Sequence, residues 1–173
     1  MAETVGPALL PIMEPLRGWL GTWRGEGRGE YPTIEPFAYR EEVQLWHNGK
    51  PFLGYGQRTR HVDDGRPLHA ESGYLRLVSE VDAAGVVHAE GVIAHPTGIT
   101  EVLDGELRGG RLVLATTAVA RTATAKEVTT VERIVEVDGD RLTYEVRMAA
   151  VGQPLQHHLS ATLQRVTGPD EAP

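Results

Sequence analysis

The sequence predicts an all-β protein, an antiparallel up-and-down barrel of about ten strands with short helical turns at its N-terminal end. Three observations carry that expectation. Turn-forming pairs punctuate the chain at Asn48-Gly49, Asp64-Gly65, Ala84-Gly85, Asp104-Gly105, Gly109-Gly110 and Asp138-Gly139, and such pairs accept the positive φ angles of tight hairpins. Between them, polar and apolar residues alternate: Leu142, Tyr144, Val146 and Met148 against Thr143, Glu145 and Arg147, and Val131, Arg133, Val135 and Val137 against Glu132 and Glu136. That is the period of a strand with one buried and one wetted face. No long helical segment separates these runs, which argues against parallel βαβ units. A sheet of about ten strands keeps exposed edges unless it closes on itself, and a closed barrel of that size is wide enough to enclose a ligand.

Taken in order, Met1–Gly6 and Thr167–Pro173 have the small, polar and proline-bearing composition of frayed ends, leaving an ordered core of about 7–166 within one domain spanning 1–173. From Pro7 to Leu20, apolar residues recur at Leu9, Ile12, Met13, Leu16 and Leu20 with near-helical spacing, while Pro11 and Pro15 limit the segment to short turns. A lid or plug across one barrel end is its natural use. The stretch is too short and too interrupted to be a signal peptide or a membrane span. The net charge of −7, with 24 acidic against 17 basic residues, argues against nucleic acid as a partner. The chain has no cysteine, which removes disulfides, thiolate metal sites and a cysteine nucleophile and suits a cytoplasmic protein.

The most distinctive segment runs from Gly21 to Ile34 and places Gly21, Gly25, Gly27 and Gly29 at alternate positions with Trp23 and Tyr31. Glycines in that phase share one face of a strand, where another backbone or a flat ligand can approach, or where a strand bends sharply at a barrel corner. The spacing is not that of a phosphate-binding loop. Further motifs are Pro67-Leu68-His69-Ala70-Glu71, Ala94-His95-Pro96-Thr97-Gly98, Thr124-Ala125-Lys126-Glu127-Val128 and Gly152-Gln153-Pro154-Leu155-Gln156-His157-His158-Leu159.

In this order, from about Leu16 to Arg165, these motifs resemble those of the nitrobindins. The resemblance implies a ten-stranded barrel similar in outline to fatty-acid-binding proteins, carrying haem b with one histidine as its protein ligand to iron. It also implies binding of nitric oxide and isomerisation of peroxynitrite to nitrate, which spares protein tyrosines from nitration. By motif position the axial ligand is His158. Strict alternation dissents: it puts His157 on the face of Leu155, Leu159, Ala161 and Leu163, and His158 with Gln156, Ser160 and Thr162. We follow the motif, expecting small neighbours such as Ser160 and Thr162 to line the cofactor and the leucines to pack elsewhere, against the N-terminal segment or a second subunit. Leu68 and His69 match a segment that lines the distal side. Lys126 is expected to meet a haem propionate and Thr33 to approach the porphyrin, although a solvated lysine and a turn-capping threonine explain them as well. His47 and His95, beside turn residues, read as structural or surface groups.

Other chemistries fit poorly. Glu41 and Glu42 point to opposite faces of a strand, which is wrong for a carboxylate dyad, and neither a serine nucleophile elbow nor a zinc-binding H-E-x-x-H helix occurs. The competing class is a non-catalytic carrier or sensor of nitric oxide, haem or a lipid-like ligand, in which Arg133 or Arg147 would meet a buried carboxylate. Leftover leucines on the last strand leave a homodimer open.

Overall fold

A computed structural model describes residues 7–167. A 3-10 helix over Pro11–Trp19 is followed by ten strands: β1 Gly21–Tyr31, β2 Ile34–Trp46, β3 Leu53–His61, β4 Pro67–Leu77, β5 Val86–His95, β6 Ile99–Arg108, β7 Arg111–Arg121, β8 Val128–Asp138, β9 Arg141–Ala150 and β10 Gln156–Arg165. Each pairs antiparallel with its chain neighbours, and β1 also pairs with β10, so the sheet closes and has no free edge strand. The predicted frayed ends, Met1–Gly6 and most of Thr167–Pro173, lie outside the described residues.

Positive φ at Gly49, Gly65, Gly85, Gly109 and Gly139 confirms five of the six predicted turn positions. The sixth fails: Asp104-Gly105 lies inside β6, where a β-carbon on Gly105 would collide with the backbone of Val113 on β7. That glycine serves close strand approach and not reversal. The reversals on either side come at Pro96–Gly98 and at the Arg108–Arg111 hairpin.

The 3-10 helix closes one end. Pro11 opens it and Pro15 lies within it, so a regular α-helical bond ladder is unavailable, and the segment winds tightly enough to bury Met13, Leu16 and Trp19. These three join Trp23, Leu45, Leu53, Leu75, Leu77, Leu103, Leu107, Leu142 and Leu163 in the main core. Trp23 donates from its indole to the carbonyl of Trp19 at 2.9 Å, and the Arg165 guanidinium stacks 4.1 Å above the Trp23 ring while donating to Gly18 O and Leu20 O. The first and last strands are thereby clasped to the plug, as the apolar spacing of the segment predicts.

The opposite end carries the loops between β1 and β2, β3 and β4, β5 and β6, β7 and β8, and β9 and β10. A smaller apolar collar of Tyr31, Val128, Val131, Val146 and Ala150, backed by Ile99, Val119, Met148 and Leu159, surrounds this mouth. Between collar and plugged core lies a layer of buried polar groups: Glu41, Gln57, Glu71, Glu101 and Arg133. Beneath them an apolar cavity of about 80 Å³ is lined by Trp19, Val43, Leu45, Leu75, Leu112 and Leu142, among others.

Candidate functional site

The predicted site residues fall at the mouth. Thr33 lies in the β1–β2 turn and Lys126 in the β7–β8 loop, both exposed; Leu68 and His69 open β4; His158 lies near the start of β10. Two of these placements depend on breaks in strand register. Along β10, His157 pairs with Arg147 and Leu159 with Val146, so β10 advances two residues while β9 advances one. His158 is the extra residue of a β-bulge, a device that re-aims a side chain. His157 faces outward and lies 3.5 Å from Glu145. His158 instead packs edge-on against Tyr31 of the collar, with ring centroids 5.2 Å apart. The conflict between motif and alternation disappears because alternation fails at that residue.

The reason given for small neighbours does not survive. Ala161 and Leu163 turn inward while Thr162 is exposed and Ser160 pairs with Arg28, so Ser160 and Thr162 do not line the interior, and Leu159 packs against the collar. Of the two partners expected for these leucines, Leu163 takes the N-terminal segment, packing with Met13, Leu16 and Trp19.

A similar slip occurs on β4, where Arg60 pairs with Pro67 and Arg58 with Ala70. Leu68 and His69 then both oppose Thr59, whose hydroxyl accepts from the His69 N–H at 3.0 Å and lies 3.3 Å from the His69 carbonyl oxygen. The His69 ring lies in the phase of buried Glu71, while Leu68 stays exposed at the rim.

The electrostatics of His158 suit a metal ligand. Its Nδ1 lies 3.0 Å from the carbonyl oxygen of Glu30; a carbonyl only accepts, so Nδ1 carries the proton and Nε2 keeps its lone pair. Burial lowers the pKa of His158, against the opposing pull of the Glu30 carbonyl and with help from the charges of His157 and His69. A neutral imidazole fixed through Nδ1 to a backbone carbonyl is the form in which histidine binds a metal. With the apolar collar around it, this donor set fits a haem held at the mouth. The deep cavity, at about 80 Å³, is too small for a porphyrin.

The glycine stripe has a different use from a ligand cradle. Gly27 and Gly29 do face inward, but β-carbons there would strike the rings of Tyr39 and Phe37 from β2, and one on Gly25 would strike the backbone of Thr162 and Leu163 on β10. The flat objects accommodated are the protein's own aromatic rings.

Sequence reasoning missed the polar layer below the mouth. Arg133 donates to both carboxylate oxygens of Glu71 at 3.0 Å and to both of Glu101 at 2.7 and 2.8 Å. Glu101 accepts from His95 Nε2 at 2.7 Å, His95 Nδ1 lies 3.0 Å from His69 Nε2, and Tyr55 donates to Glu71 at 2.9 Å. A second chain joins Tyr39, Tyr144, Glu41 and Gln57. Burial pushes the Glu41 carboxyl up to about 7, although bonds from Tyr144 and Gln57 pull the other way. Burial would raise Glu71 and Glu101 too, but Arg133 and the nearby histidines overcome it and hold both below the usual carboxylate range. The available signal was polar residues in the inward phase: His69 and Glu71 two apart and in phase with Leu75, Glu101 with Leu103, and Tyr39 and Glu41 with Val43. His95, expected as a structural or surface group, is a largely buried member of this layer; His47 is the turn residue expected, accepting from the N–H of Gly49.

Residues 12–165 match the family described as the THAP4-like, heme-binding beta-barrel domain. The chain belongs to this haem-binding β-barrel family. It is 55% identical over 161 residues to "Peroxynitrite isomerase 2" of Mycobacterium marinum, covering 91% of this chain and 96% of that one. It is 50% identical over 162 residues to "Peroxynitrite isomerase" of Nocardia farcinica, covering 91% and 93%. The crystal structure of Rv2717c from M. tuberculosis superposes with a TM-score of 0.83 at 49% identity, covering 92% of this chain and all of that one. The expected family and architecture are thus both found.

Proposed function

We propose that this protein is a ferric haem b protein that isomerises peroxynitrite to nitrate, with His158 as the axial ligand. The observation that carries the reading is the β-bulge that takes His158 out of strand alternation, sets it against Tyr31 and fixes its Nδ1–H on the Glu30 carbonyl. When bound, the haem supplies a Lewis-acidic iron that weakens the O–O bond of peroxynitrite. The chain supplies the rest. The collar excludes water, and Tyr31 and the Glu30 carbonyl prevent the His158 ring from turning. His69, whose Nε2 is engaged by His95, keeps its Nδ1 edge for a bound anion. Lys126 and Thr33 are exposed on the same rim, and we assign them to the propionates and the porphyrin edge. Nitric oxide is the second small ligand, and protection of tyrosines is the physiological consequence. The cysteine-free composition supports a cytoplasmic location, and among the described residues no helix is long and apolar enough to cross a membrane.

The lipid-carrier reading loses its anchor. Arg133 is saturated by two carboxylates, and Arg147 points outward to Glu132. The homodimer also needs a different surface from the one first considered. Tyr74, Val92 and Val102 are exposed at paired positions on β4, β5 and β6, and their stripe is the face we assign to a second copy.

Haem reconstitution tests the site. A Soret band at one haem per chain, lost in His158→Ala and kept in His157→Ala, is expected; the reverse pattern would overturn the ligand assignment. Mixing the ferric protein with peroxynitrite should accelerate decay and raise nitrate yield. Decay no faster than in buffer would leave a haem-binding protein without this activity.

A further inference from the structure

Below the mouth, three ligand-type atoms converge. His69 Nε2 lies 3.0 Å from His95 Nδ1 and 3.5 Å from Glu71 Oε1, and His95 Nδ1 lies 3.6 Å from the same oxygen. A tetrahedral ion with bonds of about 2.0–2.1 Å sets its ligands about 3.3–3.4 Å apart, which is the mean size of this triangle. A hydrogen bond between the two rings accounts for the shortest edge but not for the carboxylate oxygen nearly equidistant from both.

The surroundings are those of a metal site and not of a simple polar contact. The far nitrogen of His95 is held by Glu101 at 2.7 Å, the carboxylate–histidine arrangement that orients metal ligands. The other oxygen of Glu71 is fixed by Arg133 and Tyr55, and Oε1 keeps a second lone pair beside its bond from Arg133. Charge balance gives an independent argument. The buried layer holds three carboxylates, Glu41, Glu71 and Glu101, against one guanidinium, Arg133. Buried charge is costly unless compensated; leaving aside Glu41, whose pKa burial pushes up to about 7, Glu71 and Glu101 outnumber Arg133 by one, an excess that a bound cation offsets. The His69 side chain is 30% exposed, which gives an ion a path from the rim.

We propose that His69 Nε2, His95 Nδ1 and Glu71 Oε1 form a non-haem site for one divalent transition-metal ion, with zinc the best match in size and ligand type. The fourth coordination position is left for water or an anion. The site shares no ligand with His158 and stands whether or not the haem reading holds.

Full-length, haem-free protein stripped with a chelator is titrated with Zn²⁺ by calorimetry and with Co²⁺ by visible spectroscopy. One ion per chain is expected, with the intense d–d bands of four-coordinate cobalt. Affinity should fall at least about tenfold in His69→Ala and in His95→Asn, as for loss of a ligand, and stay within about twofold in His158→Ala. Because His95 is the less exposed of the two and its variant could misfold, His69 decides by itself. Absence of stoichiometric binding would overturn the proposal. So would affinity unchanged in His69→Ala, or affinity lost in His158→Ala, which would place the ion at the rim.

Discussion

The two ends of the barrel follow the same alternation and use it differently. At the plugged end the strands keep register, so every second side chain turns inward and Trp23, Leu45, Leu53, Leu77, Leu107 and Leu163 merge with the 3-10 helix into one apolar mass. In the half toward the mouth the register slips, between Gly29 and Tyr31, Arg58 and Arg60, Val102 and Leu103, Val128 and Thr130, and His157 and Leu159. A slip costs regular pairing, and at His158 it gives a side chain a direction that alternation forbids. Packing and the buried polar layer are built where the period is kept, and the candidate iron ligand His158 is placed where it is broken.

The largest expected effect lies in the layer between the ends. Arg133→Met leaves Glu71 and Glu101 buried without their guanidinium and should cost about 5 kcal/mol in urea unfolding; a loss under about 1 kcal/mol would show that the two carboxylates do not depend on Arg133. At the plugged end, Trp23→Ala opens a cavity under the Arg165 clasp and should cost about 4 kcal/mol. The folded fraction of that variant should still take up haem, since the damage lies far from the mouth.

Glu41 sharpens the contrast through pH. Its folded-state pKa, about 7, lies above the ordinary 4.5, so between those values the unfolded chain ionises while the folded chain stays protonated. Stability contributed by this group therefore falls as pH rises from about 4.5 to 7 and levels off above that. Glu71 and Glu101, with depressed pKa values, act oppositely: their contribution is present above the ordinary carboxyl range and is lost as pH falls below it. From pH 5 to pH 7 the stability of the parent should fall by roughly 2 kcal/mol relative to that of Glu41→Gln. A difference independent of pH would mean that Glu41 titrates normally.

Gly27→Val drives a side chain into the Tyr39 ring and should cost about 2 kcal/mol by overpacking. The smallest effect on stability belongs to the rim: His158→Ala should unfold within about 1 kcal/mol of the parent, while losing the Soret band altogether. If it were as damaging as Trp23→Ala, the bulge would be a structural necessity and not a device for presentation.

Much of the barrel was legible because its causes are local. Turn glycines at positions such as 49, 65 and 139 and the alternation along β8 and β9 are readable residue by residue. Asp104-Gly105 misled because a glycine that permits close strand approach and one that permits reversal look alike until the neighbouring strand is in place. At the site, Thr33, Leu68, His69, Lys126 and His158 were named by motif, and topology alone brings them to one rim. Arg133 and Glu101 were not paired in advance, because 32 residues separate them and an inward charge on one strand says nothing about which strand faces it.

The sequence by itself determined the number and type of strands, the plug, and a composition that disfavours polyanion binding. These follow from backbone preference, side-chain period and charge count, which act over a few residues or add over the whole chain. Only the tertiary structure decided that His158 and not His157 turns toward the collar, that the glycine face is filled by Tyr39 and Phe37, and that Glu71 and Glu101, from two separate strands, share one arginine. Each of those outcomes is set by the register between strands, and register is a property of pairs of segments that no single segment contains.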